Sequence, residues 1–389
     1  METFVAVRFS HEIALKGLNR PFFLRRLSSN LERALQGTGV RPAPAGQMVA
    51  LLPMDSEQGW PAVKERLENL VGIEGFGLAY RVLASIDAIN GALAHLLQGR
   101  SVKSFRISAQ RSDKTFPLTS PEINRQVGAF VQRLTGWPVD LEEPELDIGV
   151  RILPGHALLS FEETKGLGGL PVGVSGRVAA LMSGGIDSPV ASFTLLRRGC
   201  QVVFVHFHAF PLVEGTSREK AQELVRLLTK YQFHSVLYLV PFAEVQKRII
   251  LTTPPEFRVV LYRRFMFRMA QAIAQEQGCL ALVTGESLGQ VSSQTLENLT
   301  TIQAVCRLPV LRPLIGMDKE EITAVARRLG TYPISILPDQ DCCSLFVPKH
   351  PATRTRPEEA ERLEEGMEVE GMVKQAVEAA EKKEFFWPE

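Results

Sequence analysis

The chain has 389 residues, of which 45% are hydrophobic and 22% are charged, and its formal net charge at pH 7 is +1. This composition is typical of a water-soluble globular protein. No apolar run approaches the roughly 20 residues of a membrane helix, so a membrane protein is not expected. The N-terminus shows no secretory signal pattern, and five cysteines are too few for a disulfide framework. We therefore expect a protein of the reducing cytoplasm.

Residues 1–60 predict a small α+β domain. The strand pattern TFVAVRF is followed by the helical pattern RPFFLRRLSSNLERALQG, which has Pro21 near its start and Gly37 at its end. A second strand pattern, MVALLP, comes next. Residues 61–165 mix helical and strand patterns in the same way, so we expect a second α+β domain there.

Charge is unevenly distributed along the chain. Residues 95–135 carry seven Lys or Arg against two acidic residues, a net charge of +5, whereas residues 357–389 carry eleven Glu against four Lys or Arg, a net charge of −7. The basic stretch suits a polyanionic partner, although an ordinary solvated surface is an alternative explanation. We interpret residues 357–389 as an acidic, helix-prone and peripheral C-terminal tail.

Residues 166–176 form a glycine-rich linker in this interpretation, and the pattern changes after it. Short apolar runs (VAALM, QVVFVHF, SVLYLV, CLALVTG) alternate with helical patterns. Strands without internal alternation, separated by helical crossovers, predict a doubly wound parallel sheet in an α/β domain over residues 177–356. Sheets of this kind bind ligands at the carboxyl ends of their strands.

The first of these apolar runs is followed by SGGIDS, residues 183–188, and then by a helical pattern. Glycine lets the backbone approach a ligand closely, and the first turn of a helix offers free N–H groups to an anion. The loop therefore predicts a phosphate site, with a plain tight turn as the alternative. The chain has neither G-x-x-x-x-G-K-[ST] nor G-x-G-x-x-G at a strand end, which argues against a kinase-type or dinucleotide loop.

The loop resembles the PP-loop of enzymes that split ATP between its α and β phosphates. Longer segments resemble the bacterial tRNA 4-thiouridine synthases, or tRNA sulfurtransferases, of thiamine and thiouridine biosynthesis. These segments are ALKGLNRPFF (14–23), QRSDKTFPLTSPEINRQVG (110–128), KGLGGLPVGVSGRVAALMSGGIDSPVAS (165–192), TGESLGQVSSQTLENL (284–299) and RPLIGMDKEEI (312–322). The resemblance covers about residues 1–355. It implies a ferredoxin-like domain, a THUMP RNA-binding domain and a PP-loop ATP pyrophosphatase domain.

The resemblance also implies an activity. Members of this family use ATP to adenylate the uridine at position 8 of tRNA and then replace its carbonyl oxygen with sulfur. They also supply sulfur for the thiazole of thiamine. The implied cofactors are ATP and Mg²⁺, with Asp187 as a metal ligand or a catalytic group beside the reacting phosphate. A homodimer is a further expectation.

The resemblance carries over to individual residues. Taken singly, His206 is also compatible with a core histidine and Arg263 with a surface charge. The implied nucleotide contacts are Leu181, Met182, Ser183, Gly184, Gly185, Asp187, Ser188, His206, Phe207, Arg263, Gly285 and Gln294. The implied tRNA contacts are Lys16, Arg20, Lys103, Arg106, Arg111 and Lys114, which would bind phosphates and position the RNA.

Cys342 and Cys343 lie in the segment PDQDCCSLFVPKHP, where a cysteine of the resembling family takes part in sulfur transfer. We favour Cys343 over Cys342, and a pair of small buried side chains is the alternative. No cysteine follows residue 343, which matches the short form of the family without a rhodanese domain. Sulfur is then expected from a partner, a cysteine desulfurase or another persulfide donor. The absence of C-x-x-C argues against an iron–sulfur cluster but leaves one open.

Two other functions are compatible with a PP-loop. One is an ATP-dependent ligase or amidotransferase acting on a small molecule, which would need neither the basic N-terminal half nor the paired cysteines. The other is a non-catalytic tRNA-binding protein with a vestigial nucleotide site, which the intact Ser183–Ser188 loop argues against.

Overall fold

The computed structural model describes residues 1–40, 48–161, 163–210, 216–338 and 350–388. The chain forms two units, Met1–Leu170 and Pro171–Glu389. Over the described ranges, every helix is either too short or too polar to cross a membrane.

The first unit is built on one seven-stranded sheet. Its strands are β1 (Glu2–Phe9), β2 (Val49–Pro53), β3 (Ile73–Leu83), β4 (Phe105–Arg111), β5 (Leu146–Leu153), β6 (His156–Ser160) and β7 (Thr164–Lys165). The strand order is β2-β1-β3-β6-β5-β4, with β7 paired to β3. Because β3 pairs with β1 on one side and with β6 on the other, a single sheet runs through both predicted α+β domains.

The α-helices described beside this sheet are α1 (His11–Ala14), α2 (Arg20–Leu35), α3 (Trp60–Glu68), α4 (Ile86–Leu96) and α5 (Ser120–Thr135). α4 and α5 bury apolar residues at helical spacing, among them Ile89 with Leu93 and Ile123 with Val127, and pack them on the sheet. Arg66 of α3 donates a hydrogen bond to the carbonyl of Ala34 in α2. The boundary predicted at residue 60 therefore separates two helices that are in contact.

The second unit contains the parallel sheet. Its strands are β8 (Arg177–Leu181), β9 (Gln201–His208), β10 (His234–Pro241), β11 (Leu282–Val283), β12 (Val310–Leu311) and β13 (Glu381–Phe386). Its helices are α6 (Asp187–Arg197), α7 (Thr216–Thr229), α8 (Ala243–Thr252), α9 (Arg258–Glu276), α10 (Leu296–Gln303), α11 (Lys319–Leu329), α12 (Tyr332–Ser335), α13 (Pro357–Glu364) and α14 (Val369–Glu378).

The strand order β12-β11-β8-β9-β10-β13 confirms the predicted doubly wound sheet. β8, β9 and β10 are parallel neighbours, and the chain then returns to the other side of β8 to form β11 and β12, also parallel. The strand order reverses between β8 and β11. In open α/β sheets, such a switch point creates a crevice at the carboxyl ends of the strands.

The glycine-rich residues 166–176 were predicted to be a linker, but they are hydrogen-bonded to the two units that they join. Gly166 and Gly168 donate backbone hydrogen bonds to the carbonyls of Glu74 and Ile73 in the first unit. Gly173 donates one to Gly199 in the second unit. Each half of the glycine-rich segment is therefore attached to its own unit.

The interpretation of residues 357–389 as a peripheral tail is wrong. β13 extends the sheet as an antiparallel partner of β10. Glu364, in the last turn of α13, is buried and accepts hydrogen bonds from Arg264 and Arg268 of α9, at 2.7–2.8 Å. The side chain of Arg264 is fully buried. The segment thus completes the edge of the sheet and neutralises a buried cation.

We predict that Glu364→Ala lowers the free energy of unfolding of the second unit by about 3–5 kcal/mol, because it leaves Arg264 buried without its counter-ion. Urea denaturation at pH 7 would measure the loss. Glu365→Ala, which removes the exposed neighbouring carboxylate, is the matched control. Equal effects of the two substitutions would contradict the prediction.

The same pair predicts a pH dependence. Burial raises the pKa of Glu364, but the hydrogen bonds and charges of Arg264 and Arg268 outweigh burial, so the pKa lies below its ordinary value. The ion pair therefore contributes its full stabilisation to the folded state at pH values above the pKa of a glutamate in the unfolded chain, about 4.3. Its contribution is lost as the pH falls through the lower folded pKa. The difference in stability between wild type and Glu364→Ala is expected to shrink over that range.

Candidate functional site

The loop between β8 and α6 lies at the switch point of the sheet. Its shape is held by two serines: the Ser188 hydroxyl accepts a hydrogen bond from the Ser183 amide at 2.9 Å, and the Ser183 hydroxyl accepts one from the Gly185 amide at 3.2 Å. α6 begins at Asp187. Its first turn therefore directs backbone N–H groups and the positive end of the helix dipole towards the loop, which suits an anion.

Gly285 is needed where β11 meets this loop. A Cβ at this position would lie 2.8 Å from the carbonyl carbon of Asp187 and 2.8 Å from the amide nitrogen of Ser188. Both atoms belong to the backbone of α6, so they cannot rotate away. Glycine thus allows the segment after β11 to touch the first turn of α6.

Asp187 is held from two sides. Its Oδ1 accepts a hydrogen bond from Nζ of Lys319 at 2.7 Å, and its Oδ2 accepts one from the Gln290 amide at 2.9 Å. Lys319 is the first residue of α11, and its side chain is about half exposed. The carboxylate is therefore oriented beside the loop together with a cation that can also meet a phosphate.

The side chains around the loop suit a magnesium ion that arrives bound to a nucleotide. In the described ranges, no group of three or more His, Cys, Asp and Glu residues is arranged to hold a metal ion. Mg²⁺ bound with nucleotides usually takes one or two carboxylates, with phosphates and water as the other ligands. Asp187 alone supplies such a carboxylate, provided that the contact with Lys319 yields.

Glu286 forms a buried charge cluster beside the loop. Its carboxylate accepts hydrogen bonds from Nη1 of Arg263 at 3.0 Å, from Nε of Arg312 at 2.7 Å and from the Thr284 hydroxyl at 2.8 Å. Glu286 is 1% exposed. One carboxylate thus faces two guanidinium groups, which leaves a net positive charge next to the loop.

His206 and Gln294 complete the walls of the site. The His206 ring donates through Nδ1 to the Met182 carbonyl at 2.9 Å, which connects the ends of β8 and β9. Gln294 is 6% exposed. Its Oε1 has no hydrogen-bond partner among the described residues. It is therefore an acceptor available to a ligand.

These groups surround a cavity of about 170 Å³. Ten of the twelve predicted nucleotide contacts line it: Leu181, Met182, Ser183, Asp187, Ser188, His206, Phe207, Arg263, Gly285 and Gln294. Gly184 and Gly185 belong to the same loop but do not line the cavity. A larger groove of about 350 Å³ lies on the sheet of the first unit and has no comparable phosphate loop.

Sequence reasoning missed several side chains of the site. Met266, Thr284 and Glu286 also line the cavity, and Lys319 contacts Asp187. Lys319 lies within RPLIGMDKEEI, and Glu286 directly follows Gly285, so both stood in segments that had already been singled out. Nothing in the local pattern marked either side chain as facing the loop.

The predicted RNA contacts fall on two parts of the first unit. Arg20 is the first residue of α2, and Lys16 lies four residues before it, with its Nζ located 5.3 Å from the centroid of the Phe23 ring. The other four lie on or near the edge strand β4: Lys103, Arg106, Arg111 and Lys114. Lys103 and Lys114 are exposed.

Two of these cations also have structural partners. Arg106 forms an ion pair with Asp147. Arg111 donates through Nη1 to the carbonyls of Phe116 and Leu118 at 2.9 and 3.0 Å. Arg111 thus organises the loop that carries Lys114. The two exposed lysines are the simpler probes of an RNA surface.

The predicted sulfur-transfer residues Cys342 and Cys343 lie outside the described residues. Cys200 and Cys279 are buried, and Cys306 is partly buried. Burial raises the pKa of the Cys279 thiol to about 11 and also raises the pKa of Cys200 and Cys306. These three thiols are therefore poor sources of a nucleophilic thiolate.

Known proteins match this chain along almost its whole length. A probable tRNA sulfurtransferase of Thermus thermophilus is 54% identical over 389 residues, covering 100% of this chain and 95% of that protein. A probable tRNA sulfurtransferase of Moorella thermoacetica is 42% identical, covering 98% of this chain and 97% of that protein.

Solved structures are similar as well. The crystal structure of a 4-thiouridine synthetase–RNA complex with bound ATP has a TM-score of 0.88 and 34% identity, covering 99% of this chain and 100% of that one. PH1313 from Pyrococcus horikoshii has a TM-score of 0.61 and 25% identity, covering 85% of this chain and 100% of that one.

Three family models match in sequence order: the ThiI ferredoxin-like domain at residues 4–77, the THUMP domain at residues 84–162 and thiamine biosynthesis protein (ThiI) at residues 173–369. The first match extends beyond the boundary predicted at residue 60. Together with relatives that are similar over nearly all of the chain, these matches show that the chain belongs to the ThiI family.

Proposed function

We propose that this protein is an ATP-dependent tRNA sulfurtransferase that converts the uridine at position 8 of tRNA to 4-thiouridine. The observation that carries the proposal is the meeting of the Ser183–Ser188 loop, the Asp187–Lys319 pair and Arg263 at the switch point of the sheet in a ThiI-family chain. The names of the relatives support the reaction. The RNA and ATP in the similar solved structure support the substrates.

The cavity has two parts, one that suits the adenosine of a nucleotide and one that suits its phosphates. The ends of β8 and β9, with Leu181, Met182, His206 and Phe207, form the wall for the adenosine. The Ser183–Ser188 loop offers N–H groups, and Arg263 offers a guanidinium fork, to the phosphates. Mg²⁺ bound with ATP would neutralise phosphate charge, with Asp187 as its protein ligand.

The first step is proposed to be adenylation. The uridine O4 attacks the α-phosphorus of ATP while N3 releases its proton to solvent. The O4–P bond forms, and the bond from that phosphorus to the bridging oxygen breaks. Pyrophosphate leaves with the electron pair. The loop amides, Arg263 and Lys319 stabilise negative charge on the departing pyrophosphate, which lowers the barrier.

The second step is proposed to be sulfur transfer by Cys343, with Cys342 as its neighbour. The Cys343 thiolate attacks the terminal sulfur of the donor's persulfide, and the donor leaves as a thiolate. The terminal sulfur of the resulting Cys343 persulfide attacks C4, and AMP leaves with the former O4. A second thiolate then cleaves the S–S bond and leaves a disulfide, which an external dithiol or two thiols reduce. The released C4 thiolate gives 4-thiouridine when N3 takes up a proton from solvent. A cysteine desulfurase or another persulfide donor is the proposed source of sulfur.

The described residues on either side of the cysteine segment support this assignment. Before it, the Ser335 hydroxyl donates to the Gly185 carbonyl of the phosphate loop at 3.2 Å. After it, Ala352 and Thr355 are hydrogen-bonded to the side chain of Asn298 at 2.7–3.1 Å. Asn298 also donates to the carbonyl of Ser292, two residues before Gln294. The described residues on both sides of the segment are therefore hydrogen-bonded to elements of the nucleotide site.

The RNA is proposed to bind through Lys16, Arg20, Lys103, Arg106, Arg111 and Lys114 in the first unit. These cations suit phosphate contacts, which position the RNA without reading its sequence. A thiamine role, a homodimer and a cytoplasmic location stay predictions.

The proposed function is tested by ATP/pyrophosphate exchange with and without tRNA, together with mass spectrometry of the tRNA nucleosides. A tRNA sulfurtransferase exchanges only with tRNA and, given a persulfide donor, forms 4-thiouridine. A small-molecule ligase supplied with its substrate would exchange without tRNA. A non-catalytic binding protein would not exchange at all.

We predict that Asp187→Ala lowers tRNA-dependent pyrophosphate formation by roughly 100-fold or more, because it removes the carboxylate beside the reacting phosphate. Its affinity for tRNA should stay within about twofold of wild type, since the proposed RNA contacts lie in the first unit. Glu320→Ala, which removes an exposed carboxylate next to Lys319, is the control. Near-normal thiolation by Asp187→Ala would contradict the assignment of the loop.

We predict that Lys103→Ala/Lys114→Ala weakens tRNA binding and reduces its salt dependence. Loss of two phosphate contacts should lower the slope of log affinity against log salt by roughly 1.4–1.8. Fluorescence anisotropy between 50 and 200 mM salt measures the slope. Lys247→Ala/Lys374→Ala removes two lysines of the second unit as a charge-matched control. If both double variants keep the wild-type slope, the RNA surface lies elsewhere.

We predict that Cys343→Ser still forms pyrophosphate with tRNA but makes no 4-thiouridine, because a hydroxyl is a far poorer nucleophile towards a persulfide than a thiolate is. Cys342→Ser should be milder, and Cys306→Ser should resemble wild type. A persulfide trapped on residue 343 and identified by mass spectrometry would support the assignment. Loss of thiolation in Cys342→Ser alone would reverse the two roles, and activity of the double variant would exclude both.

A further inference from the structure

We propose that Glu286 is a positioning residue that fixes Arg263 in the nucleotide site before ATP binds. This inference rests on the proposed function, because it assumes that Arg263 contacts phosphate. It starts from the cluster in which Glu286 receives hydrogen bonds from Arg263, Arg312 and Thr284.

The two arginines depend on Glu286 to different degrees. Arg312 has a second anchor, because its Nη1 donates to Oε1 of Gln303 at 2.6 Å. For Arg263, Glu286 is the one hydrogen-bond partner among the described residues. Loss of the carboxylate therefore releases Arg263 more completely than Arg312.

Glu286 is itself firmly placed. It follows Gly285, whose backbone lies against Asp187 and Ser188 in the first turn of α6. The Thr284 hydroxyl, on the other side of Gly285, donates to the same carboxylate. The position of the carboxylate is thus tied to the phosphate loop, and through it the guanidinium of Arg263 is tied to that loop as well.

The charges in the cluster explain why a carboxylate suits this place. Two guanidinium groups that share a largely buried position repel each other, and one carboxylate between them offsets that repulsion. The cluster keeps a net charge of +1, so attraction for a phosphate remains. A free arginine side chain loses about 2 kcal/mol of rotamer entropy when it is immobilised. Because Glu286 immobilises Arg263 when the protein folds, this entropy loss no longer reduces the free energy of ATP binding.

The test is a double-mutant cycle with Glu286→Gln, Arg263→Ala and the double variant. Glu286→Gln should raise the KM for ATP by roughly 10- to 30-fold, the ratio that corresponds to the entropy of one arginine side chain. In protein that already carries Arg263→Ala, Glu286→Gln should raise the KM for ATP further by less than about twofold. The affinity for tRNA should not change, and Glu320→Gln should resemble wild type.

Instability of Glu286→Gln is controlled by a compensated variant. Glu286→Gln/Arg312→Gln removes the carboxylate together with one of the two repelling cations, and it should show the same rise in the KM for ATP. Circular dichroism and the unfolding midpoint of each variant establish that it is folded. A folded variant with the wild-type KM for ATP would overturn the inference.

Three outcomes separate the inference from the proposed function. Multiplicative effects of Glu286→Gln and Arg263→Ala would overturn the inference, because Glu286 would then act independently of Arg263. Wild-type protein that neither binds ATP nor forms pyrophosphate would overturn the proposed function on which the inference rests. An active wild type with an unaffected Glu286→Gln variant would overturn the inference alone.

Discussion

The close approach of Gly285 to the first turn of α6 is the constraint on which the rest of the second unit depends. β8 and β11 are neighbours in space, although the chain forms β9, β10 and the four helices α6–α9 between them. Their carboxyl ends meet where the missing side chain of Gly285 admits the backbone of Asp187 and Ser188. The loop, the carboxylate of Glu286 and the cations that contact it all take their positions from this meeting point.

The parts of this arrangement that sequence could predict are local. A buried strand, a turn of small residues and a helix follow one another within about 20 residues. The phosphate loop can therefore be predicted from the sequence between Val178 and Gly199 alone. Strands without alternation indicate burial on both faces, which predicts a parallel sheet. The family resemblance also marks His206 in β9 and Gly285 just after β11, and both residues line the cavity.

The parts that sequence could not predict are pairs between distant residues. Lys319 is 132 residues from Asp187, and Arg264 is 100 residues from Glu364. Local charge patterns contain no information about such partners. The strong negative charge of residues 357–389 suggested a solvated tail because most of its glutamates are indeed exposed. Among the glutamates that the structure describes in this segment, only Glu364 is buried, and its partner on α9 could not be found from the composition of either segment.

The pairing of Arg264 with Glu364 also affects the order of events during protein synthesis. Protein synthesis proceeds at roughly 5–20 residues per second, so about 5–20 s pass between the appearance of the cation and that of the carboxylate. During this interval a guanidinium that belongs in the interior has no counter-ion, and β10 lacks its partner β13. The second unit therefore completes its core only after α13 has left the ribosome. We therefore expect the second unit to finish folding late, and a nascent chain that stalls before α13 would lack both the counter-ion of Arg264 and the strand that pairs with β10 on its outer side.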